Sequence, residues 1–275
     1  MPTYPPLRAF SAWAARLRSC ATSGRPLHGG GRLAAQFLGQ LLPRACLLCE
    51  APCGDAPLCD PCRDFLPGAG RPRCRGCARP WTTSTRCATC REAPPAFART
   101  VAAADYVPPL DRAITALKFG GSTGLAPALG ALLADACRAE GADVLEGVDR
   151  IVPVPLSAAR LAERGFNQAH LIAAALLRRT RPAHVRLAPG LLVRQRDTLA
   201  QSRLHGAARR ANLDHGFVAR PEVAGLRIAV VDDVMTTGAT LEAAAIALLG
   251  AGAAQVVNLV VARTGRRGGG GGDGA

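Results

Sequence analysis

Residues 228–241 read IAVVDDVMTTGATL, and no other stretch of the chain restricts its possible folds as much. Four apolar residues, Ile228 to Val231, make the short run expected of a parallel strand buried on both faces. The run is expected to stop at two adjacent carboxylates, Asp232 and Asp233. Thr236, Thr237, Gly238, Ala239 and Thr240 follow, and an Ala/Leu-rich helical run begins there. A strand, a hydroxyl-rich turn and a helix start together describe an anion site, because free backbone N–H groups and the positive end of the helix dipole face the turn. Gly238 allows close backbone approach, and the threonine hydroxyls add donors.

The carboxylate pair argues against a plain phosphate loop. Two like charges side by side repel each other, and both repel a phosphate. Replacing either by asparagine is therefore expected to leave folding intact or improve it. The pair is tolerable if it accepts hydrogen bonds from sugar hydroxyls or faces Mg²⁺. Ribose 5-phosphate, with a phosphate at one end and a vicinal diol at the other, satisfies every part. The plain alternative is an ordinary βα turn with two solvated aspartates. The stretch resembles the phosphoribosyl-pyrophosphate (PRPP) loop of type I phosphoribosyltransferases nearly residue for residue. The chain contains no GxxxxGK[ST], so a nucleoside-triphosphate P-loop is not supported.

Cysteine spacing is the second strong signal. Cys46-x-x-Cys49 is followed by Cys59-x-x-Cys62, and the pattern recurs as Cys74-x-x-Cys77 and Cys87-x-x-Cys90, a constant shift of 28 positions. A CxxC knuckle presents two thiolates to one metal, and two knuckles complete a tetrahedral Cys₄ site. Eight such cysteines imply two structural Zn²⁺ ions in a double zinc ribbon, with pairing either within each block or cross-braced between them. A segment this short and this poor in apolar residues needs metal for its stability. The competing reading, a secreted disulfide framework, lacks secretory features to support it. Cys53 reads as a spare filler, and Cys20 and Cys137 as inert.

Around these two signals the rest of the chain falls into order. Residues 1–45 carry arginines but no acidic residue, and read as a basic, partly disordered extension with a short helix over 33–42. Residues 46–95 form the double ribbon. Residues 96–266 alternate strands and helices, which implies an α/β domain with a parallel sheet. Strands are expected at 99–106, 150–155, 191–193 and 255–262, and helices at 109–119, 125–139, up to about residue 179, and 199–211. A Gly-rich tail occupies 267–275. The uncharged stretch 243–261 is broken by Gly250 and Gly252, so it reads as helix, turn and buried strand rather than a membrane span. No membrane insertion and a cytoplasmic location are expected. Net charge is +14, and Lys118 is the single lysine among 34 basic residues. That skew suggests a coding bias toward arginine, which weakens the charge as a sign of nucleic acid. A basic surface still attracts polyanions, so single-stranded DNA is a candidate partner.

The order of motifs resembles the ComF/GntX family, a double zinc ribbon joined to a type I phosphoribosyltransferase-like domain. The resemblance rests on the cysteine pattern, LKFGG (117–121), VPVP (152–155), RGFNQA (164–169), an arginine/glutamine loop (194–212) and VVDDVMTTGAT (230–240). It implies that Asp232 and Asp233 receive ribose hydroxyls, and that Thr236, Thr237, Gly238, Ala239 and Thr240 hold the 5′-phosphate. It further implies that the segment after VPVP, with Arg160 and Arg164, faces pyrophosphate, and that residues 194–210 form a lid contributing Arg196, Gln201, Arg203 and Arg209. Lys118 is expected to contact the pyrophosphate or the lid. Asp232, Asp233, Lys118 and Arg164 form the expected catalytic set, with Mg²⁺ arriving with PRPP. The family association is with competence and DNA uptake, which suggests a DNA-uptake helicase as a further partner. Three functions compete at this level: phosphoribosyl transfer to an unidentified acceptor, a non-catalytic PRPP- or DNA-binding accessory module, and a zinc-ribbon nucleic-acid binder with a vestigial α/β domain. The intact DD-x-x-TTGAT stretch disfavours the third.

Overall fold

Apolar runs that alternate with Ala/Leu-rich segments build a layered α/β structure, and the cysteine-rich segment is packed onto its edge. The computed structural model describes residues 46, 51, 53, 58–82, 85–140, 143–194 and 216–265. The helix expected over 33–42, Cys49, the lid residues Arg196, Gln201, Arg203 and Arg209, the helix over 199–211 and the tail lie outside the described residues.

Two short helices, α1 (Asp60–Asp64) and α2 (Ala88–Glu92), belong to the cysteine-rich segment. There follow β1 (Arg99–Asp105), α3 (Leu110–Phe119), α4 (Ala126–Ala139), α5 (Asp143–Glu146), β2 (Arg150–Pro153), α6 (Ala158–Arg164), α7 (Gln168–Thr180) and β3 (Arg186–Leu187). The chain continues through β4 (Leu192–Arg194), β5 (Phe217–Ala219), β6 (Arg227–Met235), α8 (Ala239–Gly250) and β7 (Gln255–Arg263). The uncharged stretch 243–261 is thus helix, turn and strand. Among the described residues, no helix is long and apolar enough to cross a membrane.

Five strands form one parallel sheet in the order β1-β7-β6-β2-β3. Alternate side chains of β6 and β7 enter opposite cores, as the two-residue period of a strand requires. Ala229, Val231, Val257 and Leu259 pack with Leu129, Leu133, Ile172 and Leu176 of α4 and α7. Ile228, Val230, Val256 and Val260 pack with Leu241, Ala244 and Leu248 of α8. Burial on both faces explains why these strands read as continuous apolar runs. Helices α4 and α7 approach closely at Gly130, where an added Cβ would lie 2.5 Å from that of Ala175. A small antiparallel ribbon, β4 with β5, was not expected; only the β4 half of it was legible as a strand.

The two cysteine blocks sit on opposite faces of the edge strand β1. Cys46, Leu58 and Leu66 join the core on the α4 side, and Ala78, with Phe97 just past the second block, joins the core on the α8 side. Their backbones also reach β1 itself, with Asp105 N–H donating to Pro67 O at 2.7 Å and Thr100 N–H to Arg75 O at 2.8 Å. Buried Arg73 closes the joint, donating to Asp105 Oδ1 at 2.7 Å and to the carbonyls of Gly68 and Ala78.

Candidate functional site: a crevice at the carboxyl ends of β2 and β6

The chain leaves β2 toward β3 on one side and leaves β6 toward β7 on the other. A parallel sheet opens a crevice at such a switch point, beyond the carboxyl ends of its strands. The last rungs here are Pro153 beside Val231 and the bond from Val154 N–H to Val231 O at 2.9 Å. Contrary to expectation, β6 does not stop at Val231. It keeps its ladder with β7 through Asp232, Val234 and Met235, which lie beside Val260, Ala262 and Arg263. Both aspartates therefore stand on a rigid strand, where β6 has outrun β2.

Asp233 is 3% exposed, and its Oδ2 lies 2.9 Å from the Nζ of Lys118 at the end of α3. Lys118 was expected at the pyrophosphate or the lid; in this structure its partner is the Asp233 carboxylate. Asp232 is half-buried and folds its Oδ1 back onto the N–H of Asp233 at 2.8 Å. Burial first, and then the neighbouring Asp233 charge, push Asp232 up to about 8, against the opposing pull of that N–H and of Lys118. Burial and the neighbouring charge thus disfavour the ionised form of Asp232, while Asp233 is paired with lysine.

This arrangement has a consequence for stability. The folded state holds a proton on Asp232 that the unfolded chain, at the ordinary 3.8, has released. The contribution is complete at low pH and is lost as pH rises from about 4 to about 8, at up to ~1.4 kcal/mol per pH unit. Urea midpoints should accordingly fall between pH 6 and pH 8, and Asp232→Asn should flatten that slope. Parallel pH profiles for the two proteins would show that Asp232 holds no such proton.

Beyond Met235 the chain turns through Thr236, Thr237 and Gly238 into α8. Gly238 is the N-cap at φ +95°, a conformation that favours glycine, and an added Cβ would also have to displace the terminal methyl of Met235 at 2.7 Å. Thr237 Oγ1 accepts from Ala239 N–H at 3.2 Å. Thr236, Thr237, Ala239 and Thr240 are exposed. The remaining first-turn N–H groups of this twelve-residue helix have no intrahelical acceptor, which suits an anion.

Of the expected pyrophosphate residues, Arg160 is exposed on α6. Arg164 lies over the Phe119 ring, 5.1 Å from its centroid, and donates to Gln168 Oε1 at 2.5 Å. Phe119 itself is 75% exposed and follows Lys118 in the chain. Asn167 was not singled out from the sequence. Its side chain caps α7, accepting from Ala169 and His170 N–H, and donates to Val154 O at 2.9 Å, so it fixes the segment leaving β2. An asparagine just before an Ala/Leu-rich run is the signal that could have found it.

The cysteines pair within blocks. The sulfurs of Cys74, Cys77, Cys87 and Cys90 all lie within 4.8 Å of one another, and so do those of Cys46, Cys59 and Cys62, with Cys49 outside the described residues. The Cys77 and Cys87 sulfurs are 3.8 Å apart. Four ligands about 2.3 Å from a tetrahedral zinc are separated by about that distance, so the second set fits the metal. Cys87 N–H points at Cys74 Sγ at 3.2 Å, as in a metal knuckle. Each block also places its third cysteine, Cys59 or Cys87, at the N-cap of a five-residue helix, so the 28-residue repeat is one of structure as well as spacing. The described cysteines form no disulfide. Cys137 is buried, which pushes its thiol up to about 12 and leaves it unreactive.

Comparison with known proteins agrees with this architecture. The double zinc ribbon domain family matches residues 37–91. DNA utilization protein YhgH of Escherichia coli K12 is 36% identical over 227 residues, covering 81% of this chain and 98% of that protein. The chain belongs to the ComF/GntX family. Competence protein F of Haemophilus influenzae is 33% identical over 56% of this chain and 68% of its own length. Competence protein ComFC of Bacillus subtilis is 39% identical over 39% of this chain and 41% of its own. Among solved structures, the allosteric regulatory enzyme of purine biosynthesis aligns at 19% identity with a TM-score of 0.33, over 49% of this chain and 25% of that one. At that score the likeness carries no argument.

Proposed function

We propose that this ComF/GntX protein binds PRPP in the crevice between β2 and β6 and transfers its phosphoribosyl group to an acceptor. The observation that supports this reading most directly is the carboxylate pair standing beside the open N-terminus of α8 at the switch point of a parallel sheet. A sugar phosphate spans those two features. Asp232 and Asp233 would accept hydrogen bonds from the ribose 2- and 3-hydroxyls, while the first-turn N–H groups and the Thr236, Thr237 and Thr240 hydroxyls would hold the 5-phosphate.

In the reaction, the bond from C1 to pyrophosphate oxygen breaks, its electron pair leaves with the pyrophosphate, and the acceptor's lone pair forms the new bond to C1. The Asp233 carboxylate, though shared with Lys118, would be the group nearest the positive charge that develops on the ring. Arg160, and Arg164 once released from Phe119 and Gln168, would receive the leaving group. The lid residues Arg196, Gln201, Arg203 and Arg209 would exclude water. Asp233 is paired with Lys118 and burial disfavours a charge on Asp232, so the pair suits sugar hydroxyls better than a resident cation. Mg²⁺ would therefore be held chiefly by the phosphates, where it neutralises charge on the departing pyrophosphate.

Relatives named for DNA utilization and competence support placing this chemistry in a DNA-handling process, where single-stranded DNA or a DNA-uptake helicase would be the partner. The groove between the ribbons and β1 is lined by Arg63, Arg71, Arg73 and Arg75. Arg63 and Arg73 are already paired with Asp60, Asp135 and Asp105, so the groove is no bare cationic track. Titration calorimetry with PRPP and Mg²⁺ should show one binding event, and pyrophosphate should then appear when acceptor candidates are added. Binding without release under any acceptor would favour the accessory-module reading; absence of binding would remove the phosphoribosyl assignment.

A further inference from the structure

Arg263 ends β7 and is 1% exposed, among the largest fully buried side chains described. Its Nε donates to the carbonyl of Cys77 at 2.7 Å. Its Nη1 donates to the carbonyls of Met235 at 3.0 Å, Thr236, and Thr264 at 2.8 Å, and to Thr264 Oγ1 at 3.2 Å. Met235 and Thr236 are where β6 becomes the phosphate-binding turn, and Cys77 is the second ligand of a zinc knuckle. One guanidinium therefore ties the backbone of the metal site to that of the anion site.

The charge on this side chain needs a counterpart. Among the described residues no carboxylate pairs with it, and Nη2 is buried without an acceptor. Burial first, and then Arg79 and Arg73, act against its charge, whereas Cys77 and Cys90 act in favour of it. A zinc ion with four thiolates carries a net charge of −2, which a buried guanidinium can use in place of a carboxylate. Without metal the knuckle loosens, and the carbonyl that holds Nε loses its fixed place.

We propose that Arg263 couples the second zinc site to the phosphate-binding turn, so that zinc occupancy sets the affinity for a sugar phosphate and a bound sugar phosphate tightens zinc. This rests on the reading that the 236–240 turn holds a phosphate. Arg263 is a positioning residue here, since it touches carbonyls and not the ligand.

Linkage makes the test reciprocal. Competitive chelator titration of the full chain should show one of its two zinc equivalents binding about tenfold more tightly when ribose 5-phosphate is saturating, a coupling of ordinary size. Arg263→Lys keeps the charge but not the planar fork. It should retain two zinc ions and a cooperative melt, lose the tenfold linkage, and bind ribose 5-phosphate and inorganic phosphate about equally more weakly. Equal weakening of both ligands marks a displaced phosphate turn, because loss of a sugar contact would spare inorganic phosphate. Should the variant not fold, the wild-type titration decides alone. Wild-type protein that binds ribose 5-phosphate with unchanged zinc affinity would overturn the coupling. Wild-type protein that binds no ribose 5-phosphate would instead overturn the site on which the coupling rests.

Discussion

Asp233→Asn should lower affinity for ribose 5-phosphate at least tenfold while leaving inorganic phosphate, bound at the turn 236–240, little changed. A hydrogen bond to a charged acceptor contributes about 1.5–3 kcal/mol, and 1.4 kcal/mol is about a factor of ten. The two aspartates should nevertheless differ in stability, which their adjacency in the sequence does not suggest. Asp232→Asn removes a carboxyl held protonated by burial and by its neighbour, so the folded state should hold or gain stability at pH 8. Asp233→Asn leaves the half-buried Lys118 ammonium without its 2.9 Å partner, and the melting temperature should fall. Calorimetry with both ligands, together with melting curves, separates these effects. Equal loss of ribose 5-phosphate and inorganic phosphate would mean that the carboxylates do not read the sugar.

Removal of zinc should have the largest effect on the fold. Protein purified without chelator should contain about two zinc equivalents, and Cys59→Ser and Cys87→Ser should each lose one. Structural zinc contributes about 10–16 kcal/mol in small ribbons, comparable with the whole stability of a typical domain. Cys46, Leu58, Leu66, Ala78 and Phe97 belong to the cores on either side of the sheet. Stripping both ions should therefore loosen the α/β layers as well as the ribbons, seen as a lowered and broadened melt. Metal-free protein with an unchanged melt would refute the zinc assignment.

What the sequence disclosed and what it concealed have separate physical causes. The runs RIVPVP, IAVV and QVVNLVVA were legible as strands because burial on both faces favours apolar side chains through most of their length. The turn after Asp233 was legible because Gly238 and the threonines do local work. The true end of β6 was concealed because it depends on a neighbour, β7, that continues after β2 has stopped. Lys118 was conspicuous as the single lysine, yet its partner was not, since an ion pair between α3 and β6 leaves no trace in local spacing. Arg263 lay unnoticed at the end of a strand, where nothing in VVARTG indicates that its side chain turns inward.

The seating of the ribbons astride β1 bears on how such a chain can be rearranged by recombination. An edge strand offers unpaired backbone to any other extended chain it meets. Here the metal-binding blocks lie on both faces of that strand and hydrogen-bond to it. A cut placed just before β1 would free a sticky margin along with two apolar surfaces, so the α/β half is a poor candidate for an independent life. Fusion or swapping in this architecture has to carry the metal clasp along, and loss of metal in the cell would expose the protein to aggregation or proteolysis.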